Sequence, residues 1–241
     1  MTRKFLTAEW RKLIMANYVV DPEILMRYVP VGTELDTWQN KHYVSLVGFM
    51  FLNVRVMGLR IPLHVNFPEI NLRFYVRYND AGTWKRGVVF LKEIVPKPAI
   101  SLVANTLFDE NYITLSMRHF SRVEQNKMEV GYEWRFRQKW NRIAVTADPI
   151  GKALADGSEE EFITEHFWGY AAGAKKITSE YQVAHPRWEI YKVQKHEIIC
   201  DFAGLYGSAF GSLAQQPPQS VFLAEGSAIS VFKKQSIMQL K

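Results

Sequence analysis

The chain is poor in the residues that would announce its chemistry. It has one cysteine, Cys200, in 241 residues. A lone thiol excludes an intrachain disulfide and leaves no cysteine cluster for zinc, which fits a reduced, cytoplasmic setting. The histidines at 42, 64, 119, 166, 185 and 196 include no H-x-H or H-x-x-x-H pair. Those spacings put two ligands on one strand or helix face, so no metal site is expected. There is no G-x-S-x-G elbow, and the glycines Gly204, Gly207 and Gly211 lack the Lys-Ser/Thr of a phosphate loop. Neither a serine nucleophile nor a nucleotide is implied, and no cofactor is expected. No apolar run approaches the ~20 residues that cross a bilayer. No apolar segment with a cleavage site follows the start, so no signal peptide is expected. Internal repeats and low-complexity linkers are also lacking, and residues 1–241 read as a single domain.

What is present favours strands. Hydrophobic residues make up 48% and aromatics 14%, enough for a large core with β-leaning composition. The net charge of +6 is spread along the chain, at Arg55, Arg60, Lys85, Arg86, Lys175, Lys176, Lys233 and Lys234 among others. Its densest cluster, Arg135, Arg137, Lys139 and Arg142, alternates with Trp134, Phe136, Gln138 and Trp140. That pattern reads as one strand with a basic, solvated face. Nucleic-acid binding through Arg135–Arg142 is the weaker reading, because surface charge steers partners without specificity.

Strands are expected over Trp10–Val20, Tyr43–Val56, Glu69–Tyr78, Trp84–Ile94, Tyr112–Val123, Met128–Trp140, Phe167–Ala171, Lys176–Val183, Trp188–Val193 and Val221–Phe232. Asn79-Asp80-Ala81-Gly82 signals a hairpin, and Glu124 to Lys127 a turn. Short helices are expected from Asp21-Pro22-Glu23 to Tyr28, over Pro98–Leu107, over Glu159–Glu165 behind a Ser158 cap, and near Asp201–Phe210. About ten strands running mostly as hairpins point to an antiparallel β-barrel.

The most informative stretch is Phe67 to Tyr75. Strand alternation puts Ile70, Leu72, Phe74 and Val76 on a core face and Glu69, Asn71, Arg73 and Tyr75 on the other. A row of acid, amide and guanidinium in a segment apolar enough to be buried reads as a polar pocket wall, since buried charge is costly unless paired or used. Glu69 and Arg73 read either as a pocket pair, with Arg73 holding an anion and Glu69 moving a proton, or as a structural ion pair closing a barrel end. Glu165 and His166 offer a proton-transfer pair or a helix cap, and His185 before Pro186 reads as structural.

Three blocks carry a family resemblance: Ala16–Leu25 with Val29-Pro30 and Glu34-Leu35-Asp36; Phe67–Arg73; and Thr164–Tyr170 with His185–Trp188. In this order they resemble the YqjF-like family of bacterial proteins, within the acetoacetate-decarboxylase-like superfamily. The resemblance implies a mainly β fold, an antiparallel β-barrel or double β-cone with a few short helices and an internal cavity. Its decarboxylases form a Schiff base through a lysine whose pKa is lowered by a neighbouring cation. The matching stretch, Leu107 to Ile113, sets Tyr112 and Ile113 at the lysine positions, and no lysine lies between Lys97 and Lys127. A tyrosine hydroxyl cannot make an imine, so lysine-dependent decarboxylation is not expected. Glu69 matches the glutamate that the decarboxylases keep in the cavity.

The expectation is thus a pocket for a small, anionic organic molecule. Glu69 is the candidate acid or base, and Asn71, Arg73, Tyr112 and His166 are candidate binding residues. Any reaction would be proton transfer on a keto or enol acid. A filled barrel with a structural or interaction role is the competing class. No membrane partner is expected, and a homo-oligomer is left open.

Overall fold

The computed structural model describes residues 4–124, 126–173 and 177–237. In chain order the strands are β1 (Lys4–Val20), β2 (Thr33–Leu35), β3 (His42–Val56), β4 (Phe67–Asp80), β5 (Thr83–Val95), β6 (Tyr112–Thr114), β7 (Met117–Glu124), β8 (Lys127–Phe136), β9 (Lys139–Ala147), β10 (Lys152–Ala153), β11 (Trp168–Ala172), β12 (Thr178–Ala184), β13 (Glu189–Tyr191), β14 (Val193–Ile199), β15 (Ser220–Phe232) and β16 (Gln235–Ile237). The helices are α1 (Glu23–Met26), α2 (Pro98–Leu107), α3 (Glu159–Thr164) and α4 (Phe202–Tyr206), followed by a 3-10 segment at Ser208–Ala214. Among the described residues no helix is long and apolar enough to cross a membrane.

Pairing in the large sheet runs β15-β1-β3-β4-β5-β11-β12 and returns to β15 through Val183–Val231 and Ala184–Ser230. The join between β5 and β11 is parallel and short, at Gly87–Trp168 and Val88–Gly169; the other joins of the ring are antiparallel. A second antiparallel sheet, β14-β9-β8-β7, packs against one face of β1, β3 and β4. Ile14, Leu46 and Leu72 meet Val130, Trp134 and Val145 there. The opposite face of the same strands carries its own apolar cluster, including Val47, Phe49, Tyr75 and Phe162. Strand β4 is therefore covered on both sides, and every residue from Phe67 to Val76 is buried. This is why its core face and its polar face both sit in an apolar run.

Local chemistry fixes the connections. Ala81 and Gly82 both have positive φ, +49° and +92°, and Asn79 Oδ1 accepts from the Gly82 N–H at 2.7 Å; this is the two-residue hairpin expected there. Helix α1 spans one turn rather than reaching Tyr28, with Asp21 Oδ1 accepting from Glu23 N at 2.9 Å. Helix α3 opens with the Ser158 hydroxyl accepting from Glu161 N at 3.1 Å, while Glu161 Oε2 accepts from Gly157 N at 2.6 Å. These are the reciprocal bonds of a capping arrangement.

Two expectations are corrected. The basic cluster is not one strand face. Arg137 and Gln138 take φ of +45° and +65° and form a turn, so Arg135 pairs with Trp140 across the β8–β9 hairpin. Alternation of charge with aromatics there reflects turn chemistry and two strands, not one pleat. Arg142 is also spent, on Glu133 at 2.5 Å and Glu197 at 2.7 Å. Second, Tyr112–Val123 is not one strand: β6 joins the large sheet and β7 the small one. Lys175, Lys176 and Gln125, which entered the charge, strand and turn expectations, lie outside the described residues.

Candidate functional site

The polar row of β4 faces the interior of the large sheet, and its neighbours are set by register. Residues directly opposite in an antiparallel pair share a face. From the Ala81-Gly82 turn the β4–β5 hairpin runs straight through Arg73–Phe90 and then shifts by one, so that Leu72 meets Lys92 and Asn71 meets Glu93. The extra residue, Leu91, is a bulge. A one-residue slip moves every later side chain to the other face. Without the bulge Lys92 would lie opposite Asn71. With it, Lys92 leaves the pocket side and its ammonium donates to the Leu205 carbonyl, while Glu93 turns in. Parallel pairing of β6 with β5 then sets Tyr112 beside Glu93.

The result is a cluster of three carboxyls and two phenols. Glu69 accepts from Asn71 Nδ2 at 3.0 Å and from the Tyr112 hydroxyl at 2.9 Å. The Tyr181 hydroxyl donates to Glu110 Oε1 at 2.7 Å. Glu110 is aimed by the preceding Asp109, at φ +60°, a conformation that Asp tolerates. Asp109 is itself pinned by Ser179 at 2.7 Å and Lys234 at 2.6 Å. Burial pushes Glu69 up to about 7, against the pull of its bonds to Asn71 and Tyr112 and of the Arg73 charge. Burial, with the Glu69 charge adding to it, pushes Glu110 up to about 8. Glu93 rises well above the ordinary carboxylate range through burial and then through the charges of Glu110 and Glu69. Burial also carries the Tyr112 and Tyr181 phenols upward.

Arg73 marks the other end. Its Nη2 donates to the Ile163 carbonyl at 3.2 Å and its Nε has no partner among the described residues. No salt bridge joins it to Glu69 among those residues, so the expected direct pair is replaced by two groups four positions apart on one strand face. Strand rise of ~3.3 Å per residue makes that separation roughly 13 Å along the backbone. Nearby, His166 faces Asp36 rather than Glu165, with Nε2 and Oδ2 3.2 Å apart. The same Asp36 oxygen accepts from Arg86 Nε at 2.7 Å. Burial alone would raise Asp36, but the bonds from His166 and Arg86 hold it at about 2. Burial lowers His166 to about 4 despite Asp36. At neutral pH the contact is therefore a hydrogen bond from a neutral imidazole to a carboxylate. Nε2 therefore keeps its proton and donates to Asp36, leaving Nδ1, which has no partner among the described residues, as an acceptor. His185 packs on Trp188, ring centroids 4.4 Å apart.

The polar row of β4, the carboxyl–phenol cluster, His166 and His185 line a cavity of about 250 Å³ whose remaining walls are mostly apolar, among them Phe49, Phe67, Phe90, Phe108 and Trp188. Glu69, Asn71, Arg73, Tyr112 and His166 all border it, and no lysine does among the described residues. Helix α2 contributes Ala99, Ile100, Val103 and Ala104, while Leu107 is exposed. Sequence reasoning missed Glu93, Glu110, Tyr181 and Asp36. A Lys92-Glu93 pair in the otherwise apolar run Val88–Val95 was the signal for Glu93; nothing local marks the bulge that turns it, rather than Lys92, inward.

Residues 7–228 match the family DUF2071, described as an uncharacterized conserved protein. The uncharacterized protein YqjF of Bacillus subtilis (strain 168) is 34% identical over 183 residues, 74% of this chain and 72% of its own. Among solved structures, the enduracididine biosynthesis enzyme MppR complexed with pyruvate has a TM-score of 0.68 at 11% identity, over 98% of this chain and 91% of that one. The acetoacetate decarboxylase of Legionella pneumophila subsp. pneumophila str. Philadelphia 1 has a TM-score of 0.64 at 10% identity, over 97% and 87%. At such identities these two establish the fold, which is acetoacetate-decarboxylase-like. With the family match spanning nearly all of the sequence and a relative above 30% identity, the chain belongs to the DUF2071 family of YqjF-like proteins.

Proposed function

We propose that the cavity binds a small organic acid with an apolar body and that Glu69 exchanges a proton with it. The observation that carries this reading is the placement of Glu69. It is 2% exposed on the cavity wall, and its carboxyl titrates at about 7. A group poised near the working pH serves as both acid and base. Arg73, on the same strand face and free of any carboxylate partner among the described residues, orients the anionic end by charge-assisted hydrogen bonds. The Tyr112 hydroxyl steadies the ionised form of Glu69. The neutral His166 offers Nδ1 as an acceptor for a ligand hydroxyl. A cavity bordered by these groups supports a binding role over a filled interior.

The pyruvate held by the structural relative MppR makes short keto acids the first ligands to test. With no lysine at the wall among the described residues, the chemistry that suits Glu69 is proton transfer at the carbon beside a carbonyl. Pyruvate and 2-oxobutanoate incubated in D2O with the protein should exchange their C3 protons faster than in buffer, followed by proton NMR. Glu69→Gln should abolish the exchange, and Arg73→Met should abolish binding measured by thermal shift. Binding that survives both substitutions removes the site assignment. Borohydride should trap no adduct with either acid; a covalent adduct refutes the reaction type.

A further inference from the structure

We infer that the mouth of the cavity docks on the surface of a membrane that carries anionic lipid. This goes beyond the chemistry assigned to Glu69 and does not depend on it. Of the described side chains that border the cavity, three are exposed: Ile61, Ala99 and Val103. The cavity therefore opens between the β3–β4 connection, residues 57–66, and helix α2. Both sides of that opening carry apolar tips. Leu59 and Leu63 are 71% and 81% exposed on one side, Leu102 is 66% exposed on the other, and Leu107 joins it. None of these belongs to either core cluster, so core packing does not account for them. Large apolar side chains gathered in water around one opening mark an interaction surface.

Charge selects the partner. Residues 53–66 hold Arg55 and Arg60, residues 96–107 hold Lys97, and neither segment holds an Asp or Glu. Among the described residues none of these three cations forms a salt bridge. A second copy meeting this patch across a two-fold axis would set like charges against one another, with no carboxylate from these segments to pair them. A bilayer with anionic head groups suits both features. Its phosphates meet the cations, and its acyl region receives the tips. The tips stand on two separate elements with an opening between them, a relief that a fluid surface can follow. Behind the rim the cavity walls are mostly apolar, so an apolar path runs inward from the surface. The expectation of no membrane partner came from the lack of a spanning segment, and docking by side-chain tips needs none.

The test is sedimentation of the intact protein with vesicles of phosphatidylcholine alone and of phosphatidylcholine mixed equally with phosphatidylglycerol. The expected result is partition onto the anionic vesicles about tenfold stronger or more, falling as salt is raised. The double variant Leu63→Ser, Leu102→Ser should lose about tenfold of that partition and keep its melting temperature, since both residues are exposed and neither borders the cavity. Arg55→Gln with Arg60→Gln should remove most of the salt dependence. Anionic-vesicle binding that the leucine variant retains in full reflects net charge alone and overturns the inference. Sedimentation with neither kind of vesicle also overturns it. A dimer in analytical ultracentrifugation that the leucine variant splits, without vesicle binding, overturns it in favour of contact between copies. Keto-acid binding and C3 exchange are measured without vesicles, so either reading can fail while the other stands.

Discussion

Single side chains at this site are tuned by what surrounds them more than by what they are. Glu69 and Glu34 are the same residue type, but Glu34 meets water and Arg77 at 2.6 Å, whereas Glu69 is enclosed and titrates at about 7. Burial disfavours the carboxylate, and the hydrogen bonds from Asn71 and Tyr112 only partly offset it. Removing one of those donors must then move Glu69 further up. Tyr112→Phe should shift the midpoint of the Glu69 titration to higher pH by about one unit, equivalent to ~1.4 kcal/mol. Carboxyl carbon NMR, or the pH profile of the keto-acid exchange, reads this directly. An unchanged midpoint would mean that the phenol does not stabilise the carboxylate.

At the scale of elements, close approach decides which groups reach the cavity. Tyr181 of β12 lies opposite Gly169 of β11, and its ring crosses the space a side chain would take there. A Cβ on Gly169 would overlap that ring, so the phenol would have to leave Glu110. Gly169→Ala should therefore cost roughly 1–3 kcal/mol, the usual range for overpacking a filled site, read from chemical denaturation. It should also weaken ligand binding by displacing Tyr181. The β5 bulge acts at the same scale. It exchanges Lys92 for Glu93 on the inner face and so separates an acid-rich pocket from one holding an amine.

Over the whole molecule the buried titrating groups set opposite pH trends. Glu69 and Glu110 rise from an ordinary 4.5 to about 7 and about 8, so the folded state holds protons that the unfolded chain has lost. Their contribution is complete below 4.5 and is lost as pH rises through those values. Asp36, lowered from 3.8 to about 2, contributes above its ordinary value and is lost in acid. His166, lowered from 6.5 to about 4, is neutral when folded, and its stabilising share is lost as pH falls from 6.5. His42, His119 and His185 are lowered by burial as well, so below pH 6.5 the imidazoles and the carboxyls oppose one another. Above 6.5 the imidazoles are neutral in both states, and stability should fall by on the order of 2 kcal/mol between pH 6.5 and 8. Glu110→Gln should flatten that fall in melting curves recorded from pH 4 to 9; a maximum at pH 8 would contradict the burial of these carboxyls.

The amino-acid order by itself determined the strand-rich class, the Asn79–Gly82 hairpin, helix α2 at Pro98–Leu107, the Ser158 cap and the two faces of β4. Each of these is a local matter of side-chain period, turn residues or capping, and each is legible within a few positions. It also marked Glu69, Asn71 and Arg73, because a polar row in an apolar strand has few uses. The tertiary structure alone decided which distant groups joined them. Register across β4, β5 and β6 brought Glu93 and Tyr112 inward, the Gly169 gap admitted Tyr181, and chain reversal at Asp109 delivered Glu110. It also dissolved the basic face of Arg135–Arg142 into a turn and paired His166 with Asp36. Register and burial are properties of paired strands, and a one-residue bulge, invisible to period-two reading, was enough to choose an acid over an amine for the pocket.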